Sequence, residues 1–319
     1  MLTVAALYRF VRLDDPAALR ETLLKQMTRA QLCGTLLVAP EGLNGTIAGP
    51  DAGLRGFIDQ LQQDPRFADL DVKWSTATDV PFRKTRVRLK KEIVTLGVPD
   101  LDPSDPANVG TYVDPADWNA LLDDPDVTVV DTRNDYEVAI GTFDGATGPA
   151  VNPKTDDFRS FPSFAAQHLD PATHKKVAMF CTGGIRCEKS TALLKSRGFD
   201  TVYHLRGGIL KYLEEVPADQ SRWQGACFVF DRRVAVERGP GGALSETDHE
   251  LCFACGWPTT PQDRTHATYQ PGVACPRCHD RHSPEQRARF AMRQRQLDAA
   301  AAAESDNAEP LNTKLSDGG

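Results

Sequence analysis

A cysteine at the end of an apolar run is the first residue here whose surroundings suggest chemistry. Residues 177–190 read VAMFCTGGIRCEKS, so Cys181 follows a strand-like segment and precedes two glycines and a helix-like segment. The thiolate is the reactive form of cysteine, and the backbone N–H groups of a glycine-containing loop at a helix N-terminus stabilise it. Arg186 would add a positive charge. The pattern predicts a nucleophilic Cys181 of lowered pKa; the alternative is a buried cysteine at an ordinary strand-to-helix turn.

Two further cysteine pairs have the spacing of a metal site. They form C-x2-C-x19-C-x2-C and consist of Cys252, Cys255, Cys275 and Cys278. Each pair can present two sulfurs to one side of a tetrahedral ion, as in a zinc ribbon. We expect a closed, structural zinc site, and the alternative is paired free thiols. Cys33 and Cys227 have no such partners and are expected in the core. Cys187 is expected to pack at the start of a helix or, alternatively, to resolve an oxidised Cys181.

A strongly basic segment is the third feature. Residues 82–91, FRKTRVRLKK, carry six positive charges and no negative one, on Arg83, Lys84, Arg86, Arg88, Lys90 and Lys91. Strand alternation would place Arg86, Arg88 and Lys90 on one face, where they could follow a phosphate backbone. The alternative is a solvated strand edge protected by charge. A second basic cluster follows Ser283 on a predicted helix, and for it RNA contact and solvent exposure remain equally open.

Composition limits the classes of protein to which the chain can belong. It has 319 residues, 40% hydrophobic and 25% charged, which suits two or three globular domains. The formal net charge of −7 argues against a uniformly basic nucleic-acid binder, so any RNA contact must be local. We recognise neither a secretory signal nor an apolar stretch of about 18 residues, so we expect a cytoplasmic protein with no membrane partner. In a reducing compartment, metal binding or catalysis is a better expectation for eight cysteines than disulfides.

The elements that must position these residues fall into successive segments. Hydrophobic periodicity predicts a ferredoxin-like α+β domain of βαββαβ order, with a hairpin turn at Asn44 and Gly45. A parallel α/β domain should follow, because strand-like and helix-like segments alternate and Cys181 lies at a strand's carboxyl end. The predicted boundaries are 1–97 for the first domain, 98–111 for a linker, 112–218 for the α/β domain, 219–296 for the cysteine-rich, zinc-ribbon-like segment with the basic helix, and 297–319 for a disordered tail.

The central segment resembles a rhodanese domain, whose active cysteine opens a short loop and carries a persulfide. The motifs VVDTRNDYE, CTGGIRC and VYHLRGGI carry this resemblance. The C-x4-R spacing suits a sulfur atom, because related phosphatases use one more residue to enclose a phosphate. The resemblance implies that the catalytic residues are Cys181 and Arg186, that the active-site loop also contains Thr182, Gly183, Gly184 and Ile185, and that a supporting strand-end pair consists of Asp131 and Arg133.

The resemblance extends over nearly the whole chain. GTLLVAPEGLNGTIAG, PFRKTRVRLKKEIVTLG, CTGGIRCEKS and HLRGGILKYLEE occur in the order found in the rhodanese-containing tRNA uridine hydroxylases, and YQPGVACPRCHD fits their cysteine-rich tail. The resemblance implies oxygen-dependent formation of 5-hydroxyuridine at the wobble position, with molecular oxygen as co-substrate. The partner would be tRNA, through its anticodon loop, where the target base is already unpaired. We expect no DNA partner.

The reaction itself leaves alternatives open. We recognise no flavin or nicotinamide motif and no open metal site that would activate oxygen. Either the Cys181 thiolate or its persulfide adds to C6 of uracil, or an oxidised Cys181 carries the oxygen. A sulfurtransferase would use the same Cys181 to move sulfur to a thiol or to RNA. A noncatalytic tRNA-binding scaffold would tolerate the loss of Cys181.

Overall fold

The computed structural model describes residues 2–239 and 242–306, with side chains up to residue 300. It divides into two compact units, residues 1–247 and residues 248–319, which are described separately below. Within the described ranges, no helix combines the length and the apolar character needed to cross a lipid bilayer.

The first unit begins with a five-stranded sheet covered by two helices. The strands and helices are β1 (Leu2–Phe10), α1 (Pro16–Arg29), β2 (Cys33–Ala39), β3 (Gly42–Gly49), α2 (Asp51–Gln62), β4 (Asp71–Ala77) and β5 (Thr85–Leu89), with a 3-10 turn at Pro65–Phe67. The strand order is β4-β1-β3-β2-β5. The first four strands pair antiparallel, whereas β5 pairs parallel to β2. The predicted ferredoxin-like α+β arrangement is therefore confirmed, with β5 as an added edge strand.

Helical periodicity identifies the face that each helix buries. On α2 the buried residues are Leu54, Phe57, Ile58 and Leu61, the set that the i, i+3, i+4, i+7 spacing predicts. On α1, Leu23 and Met27 are buried, and the Asp15 side chain caps the first turn by accepting from the Ala18 N–H. These side chains form one core with the inner face of the sheet.

The predicted position of the β2–β3 hairpin turn is wrong. Asn44 and Gly45 lie inside β3, where they pair with Leu37 and Leu36. The turn consists of Pro40 and Glu41, the two residues between the strands. Proline presets the backbone angle of a turn, and this signal prevails over Asn-Gly. Asn44 has a tertiary role instead, since its Nδ2 donates to the Ile93 carbonyl at 2.8 Å.

The middle of the first unit is a parallel sheet with crossover helices. Its elements are β6 (Thr111–Val113), α3 (Pro115–Leu122), β7 (Val127–Asp131), α4 (Asp135–Val138), β8 (Gly141–Gly145), β9 (Gly148–Pro149), α5 (Phe161–His168), β10 (Lys176–Phe180), α6 (Ile185–Ser196), β11 (Thr201–Leu205) and α7 (Gly208–Glu215), with 3-10 turns at Phe158–Ser160 and Ala218–Gln220. The parallel order is β6-β11-β10-β7. The three strands expected from VTVVDTR, KVAMF and TVYHL are confirmed.

Residues 223–246 complete the first unit. They form β12 (Trp223–Gly225), β13 (Cys227–Phe228), β14 (Ala235–Arg238) and β15 (Leu244–Glu246). Strand β12 pairs with β8, and β13, β14 and β15 form a small antiparallel sheet. The sequence assigns these residues to the cysteine-rich segment, whereas the structure groups them with residues 1–218.

The second unit is small and has little apolar core. It contains β16 (Glu250–Leu251), β17 (Pro258–Thr259), α8 (Pro261–Thr265) and α9 (Pro284–Asp306). Its described buried cluster consists of cysteines and alanines with Tyr269. Of the tail predicted to be disordered, residues 297–306 continue α9, and residues 307–319 lie outside the described residues.

Candidate active site between the amino-terminal sheet and the parallel sheet

Cys181 lies at the carboxyl end of β10, between β11 and β7. Its side chain is fully buried, and the chain turns directly from it into α6. The turn requires Gly184 at a φ of +97°, a conformation that costs glycine little. This geometry directs the Gly184 N–H onto the Cys181 sulfur at 3.1 Å. The strand, the glycine turn and the helix thus place the thiol in a cradle of backbone donors, as the sequence predicts.

The start of α7 holds the other side of this loop. The N–H groups of Ile209 and Leu210 donate to the carbonyls of Cys181 and Thr182 at 3.0 and 3.1 Å. A Cβ on Gly208 would lie 2.5 Å from the Cys181 carbonyl oxygen, so only glycine permits this approach. The RGGI motif after β11 therefore fixes the carbonyl groups outward and leaves the N–H groups for the sulfur.

Arg186 is bound by a partner that the sequence analysis did not single out. Its two terminal nitrogens donate to the two carboxylate oxygens of Glu137 at 2.6 and 2.7 Å, and both side chains are buried. Glu137 stands on α4, where its side chain also accepts from the Asn134 N–H in a capping box. Glu137 therefore balances part of the guanidinium charge, and the backbone N–H groups of the loop add to the Arg186 charge in stabilising an anion on the sulfur.

Asp131 and Arg133 form a fully buried ion pair at 2.7 Å. Arg133 also donates to the Gly141 carbonyl at 2.5 Å, and Thr142 donates to Asp131 at 3.0 Å. Register places Asp131 opposite Phe180, one residue before the reactive cysteine. The contacts of this pair support the carboxyl end of β7, which is consistent with the supporting role predicted for it.

The surroundings of Cys181 favour its thiolate. Burial by itself would raise the pKa of the thiol, but a hydrogen bond from the Cys187 thiol, the Arg186 charge and loop N–H groups lower it to about 5. Burial raises the pKa of Cys187, and its hydrogen bond to Cys181 and the negative charge of the Cys181 thiolate raise it further. Cys187 also lies 3.7 Å from the Thr132 hydroxyl. Cys187 is therefore a packed donor to Cys181.

A cavity of about 610 Å³ opens above Cys181. The amino-terminal sheet supplies one wall, including Tyr8, Lys73 and Trp74, and the active-site loop supplies the floor. Lys73 is only 7% exposed; its Nζ lies 2.5 Å from Asp71 and 4.9 Å from the centre of the Tyr8 ring. Burial lowers the pKa of Lys73, while Asp71 and the Cys181 thiolate oppose this effect. Sequence reasoning missed Lys73 because only its apolar strand neighbours carried a signal.

Glu188 forms a second buried acid beside the thiol. Its two oxygens accept from the hydroxyls of Tyr8 at 3.1 Å and Tyr112 at 2.6 Å. Burial raises the pKa of Glu188 to about 7, despite these hydrogen bonds. Nothing in CEKS distinguishes Glu188 from an ordinary helix carboxylate, since its tyrosines are distant in sequence.

The predicted RNA-binding residues lie on and after the edge strand β5. All six are exposed: Arg83, Lys84, Arg86, Arg88, Lys90 and Lys91. Val87 is buried between Arg86 and Arg88, so these two arginines share the outer face, as alternation predicts. Lys90 also lines the cavity. This arrangement presents a cationic edge next to the cavity above Cys181.

In the second unit, the four spaced cysteines converge. The sulfurs of Cys252, Cys255, Cys275 and Cys278 all lie within 4.8 Å of one another, so this set can hold a metal ion. The basic helix α9 is attached nearby, because Arg287 donates to the His279 carbonyl at 2.6 Å and Arg293 to the Phe253 carbonyl at 2.7 Å. These two arginines therefore have structural contacts on their own unit.

Comparisons with known proteins match this architecture. Residues 2–93 match the UPF0176 acylphosphatase like domain, and residues 114–215 match the Rhodanese-like domain. Proteins named tRNA uridine(34) hydroxylase from Teredinibacter turnerae and Agrobacterium fabrum are each 54% identical to the chain, over 298 and 297 residues. These alignments cover 93% of the chain and 90% and 91% of the two relatives. A solved rhodanese-like domain from Anabaena is 20% identical, with a TM-score of 0.29; the match covers 37% of this chain and 80% of the solved one.

Proposed function

Because the chain belongs to the tRNA uridine(34) hydroxylase family, we propose that it converts uridine 34 of tRNA to 5-hydroxyuridine with Cys181 as nucleophile. The observation that carries this proposal is the position of the thiol. Cys181 forms part of the floor of a 610 Å³ cavity, with a pKa of about 5. An anticodon loop can deliver a base to such a cavity without opening a duplex.

The thiolate activates the pyrimidine ring by addition. A bond forms between the Cys181 sulfur and C6 of uracil, the C5–C6 π electrons move toward C5 and O4, and the negative charge resides on that enolate. Carbon 5 is then electron-rich and attacks O2. An external two-electron reductant, such as a cellular thiol, cleaves the resulting C5 hydroperoxide, which leaves a hydroxyl on C5 and releases the second oxygen atom as water. Loss of the C5 proton and departure of the Cys181 sulfur from C6 restore the aromatic ring and the thiolate.

Lys73 is placed to balance the charge that appears on the ring. Lys73 lines the cavity wall, and its side chain is largely shielded from water. An ion pair is stronger at such a shielded site than in bulk solvent. The lowered pKa of Lys73 also suits donation of a proton to O4. Asp71, at 2.5 Å from Nζ, orients the ammonium.

Molecular oxygen is the proposed source of the new hydroxyl, which makes the protein a monooxygenase-type oxidoreductase. The resemblance to the oxygen-dependent hydroxylases supports this assignment. In an atmosphere of 18O2 the product nucleoside should be two mass units heavier, whereas H2 18O should leave its mass unchanged. The opposite labelling pattern would contradict an oxygen-derived hydroxyl.

Zinc is the proposed occupant of the four-cysteine cluster. Four sulfurs within 4.8 Å supply the soft, tetrahedral donor set that zinc prefers. The ion would stabilise residues around α9, since this unit has little apolar core.

Nucleoside mass spectrometry tests the activity. Cells that lack the protein are restored with wild type, Cys181→Ala or, as a control thiol, Cys33→Ala. We expect 5-hydroxyuridine with wild type and Cys33→Ala only. A thiolated nucleoside that changes instead would assign the thiol to sulfur transfer. Restoration by Cys181→Ala would contradict a reactive role for this thiol.

The proposed adduct has its own test. RNA containing 5-fluorouridine at position 34 cannot lose the C5 substituent as a proton, so the enzyme should become covalently attached through Cys181. Denaturing gels and peptide mass spectrometry detect the attachment. Turnover of normal tRNA without any trapped 5-fluorouridine adduct would contradict addition at C6.

A further inference from the structure

The six-residue turn 229–234 between β13 and β14 holds an exposed phenylalanine at the rim of the cavity. Phe230 is 59% exposed, whereas Phe228, two residues earlier, is 4% exposed. Phe230 lines the same cavity as Cys181. Single exposed aromatics are common, so exposure alone does not indicate a function. The hydrogen bonds within this turn and the groups around Phe230 do indicate a function.

Hydrogen bonds close the turn, which includes a strained residue. The Val229 N–H donates to the Val234 carbonyl at 2.8 Å, and Val234 has a φ of +60°. This conformation is strained for a β-branched residue, and such strain persists only where the surroundings enforce it. The surroundings therefore hold the backbone of the turn that carries Phe230.

Arg233 is the residue that anchors the turn. Its guanidinium is buried, pairs with Asp231 at 2.5 Å and donates to the Ser75 hydroxyl and the Thr76 carbonyl at 3.0 and 3.3 Å. Ser75 and Thr76 belong to β4 of the amino-terminal sheet. The position of Phe230 is thus tied to the wall that carries Lys73.

The surroundings of the ring suit a nucleobase. One edge contacts Phe228, with centroids 5.2 Å apart and planes at 75°, and the Arg186 guanidinium carbon lies 5.8 Å from the Phe230 centroid. Arg232, two residues later in the same turn, is exposed and donates to the Val80 carbonyl. An exposed aromatic ring beside guanidinium groups is the combination on which proteins stack unpaired RNA bases.

We propose that Phe230 stacks on a base of the anticodon loop that neighbours the uridine in the cavity. This proposal rests on the proposed function. The target uridine must descend to Cys181, so the adjacent base loses a stacking partner. Phe230, at the rim, replaces that partner.

A fluorescent base tests the proposal directly. Anticodon stem-loop RNAs carry 2-aminopurine at position 33 or 35, and stacking quenches this fluorophore. Full-length wild type and Phe230→Trp should quench at one of these positions, whereas Phe230→Leu should not. Loss of base stacking costs about 1–3 kcal/mol, so the Kd of Phe230→Leu should rise roughly 5- to 150-fold.

Phe253→Leu is the matched control, because Phe253 is 64% exposed on the second unit. Its quenching and Kd should equal those of wild type. Unchanged Cys181 alkylation in Phe230→Leu shows that its active-site loop is intact. If wild type hydroxylates uridine 34 but Phe230→Leu binds and quenches equally, the stacking proposal is wrong while the proposed function stands. If wild type makes no 5-hydroxyuridine, the proposed function fails first.

Discussion

At the scale of residues, the lowered pKa of Cys181 comes from the Cys187 thiol, the Arg186 charge and backbone N–H groups acting together. Glu137 holds both terminal nitrogens of Arg186, so the guanidinium stabilises the thiolate only in part. The Gly184 N–H and the Cys187 thiol supply the remainder. A short glycine loop can thus lower a thiol pKa in a site that is fully buried.

The pH dependence of alkylation measures this effect. With a pKa of about 5, the rate of Cys181 alkylation by iodoacetamide should stay constant from neutral pH downward and fall only as pH passes through 5. Cys187→Ala removes a donor, so its profile should shift to higher pH and its rate at about pH 5.5 should fall several-fold. Cys33→Ala serves as the control. A wild-type profile centred near 8.5 would contradict the loop's role.

The pKa of Glu188 is raised, in contrast to that of Cys181, and this predicts a pH-dependent stability. Its folded pKa, about 7, exceeds that of an unfolded glutamate, so its stabilising protonation is lost as pH rises through 7. Compared with Glu188→Gln, wild type should lose about 3 kcal/mol of unfolding free energy between pH 4 and pH 8. Urea titrations at several pH values measure this difference. A difference between the two proteins that is independent of pH would show that Glu188 titrates normally.

At the scale of elements, α6 connects the two sheets of the first unit. Its residues 186–194 are all buried, although three of the first four are charged. Glu188 binds Tyr8 of β1, and Lys189 binds Glu41 and Glu92, each at 2.7 Å. Strand β1, the β2–β3 turn and the segment after β5 therefore supply partners for the charges on the helix that follows the active-site loop.

Removal of the Lys189 charge should be costly. Lys189→Met leaves Glu41 and Glu92 facing each other without a counter-ion, which should reduce the free energy of unfolding by roughly 3–5 kcal/mol. Lys211→Met is the matched control, because Lys211 forms a half-exposed i,i+4 pair with Glu215 worth about 1 kcal/mol or less. Urea unfolding compares the variants. Equal losses of unfolding free energy in the two variants would mean that the buried Lys189 ion pairs stabilise the fold no more than an exposed pair does.

Local patterns determined which elements could be predicted. Strand β10, the glycine turn and α6 are adjacent in sequence, so VAMFCTGGIRC contains the whole active-site loop. Lys73 and Phe230 reach the cavity from segments about 100 residues before and 50 residues after Cys181. No periodicity or spacing links such segments, because tertiary packing alone brings them together. The misplaced hairpin turn shows the same limit, since Asn44 serves a tertiary contact to Ile93.

At the scale of the whole molecule, an acidic protein has to bind an anionic substrate. The net charge is −7, yet six exposed cations lie on one edge of the amino-terminal sheet and just beyond it. Such a distribution would orient tRNA, because the acidic remainder repels it.

The salt dependence of binding tests this edge. Arg86→Gln/Arg88→Gln should weaken tRNA binding and reduce the slope of log Kd against log salt concentration by about 2, since each lost phosphate contact changes it by roughly 1. Arg12→Gln/Arg29→Gln removes the same charge from exposed positions elsewhere and should leave the slope unchanged. Equal effects of the two pairs would indicate a general effect of net charge.

Metal removal tests the second unit. Purified protein should contain a single zinc ion per chain by elemental analysis, and Cys255→Ser should lose it together with helical signal from α9. Cys181 alkylation reports on the first unit and provides the control. Full helicity in metal-free protein would show that the cysteines do not stabilise this unit.

The contacts of α6 also determine whether the domain that contains Cys181 could be separated from the amino-terminal sheet. A fragment that begins near residue 112 would keep the parallel sheet and Cys181. It would lack both carboxylates that pair with Lys189, and the Glu188 carboxyl would keep only one of its two tyrosine partners. A gene fusion that exchanges the amino-terminal sheet would meet the same difficulty unless it also supplied a tyrosine and two glutamates at matching positions. The domain that contains Cys181 therefore depends on the amino-terminal residues to pair its buried charges, and the two have to be inherited together.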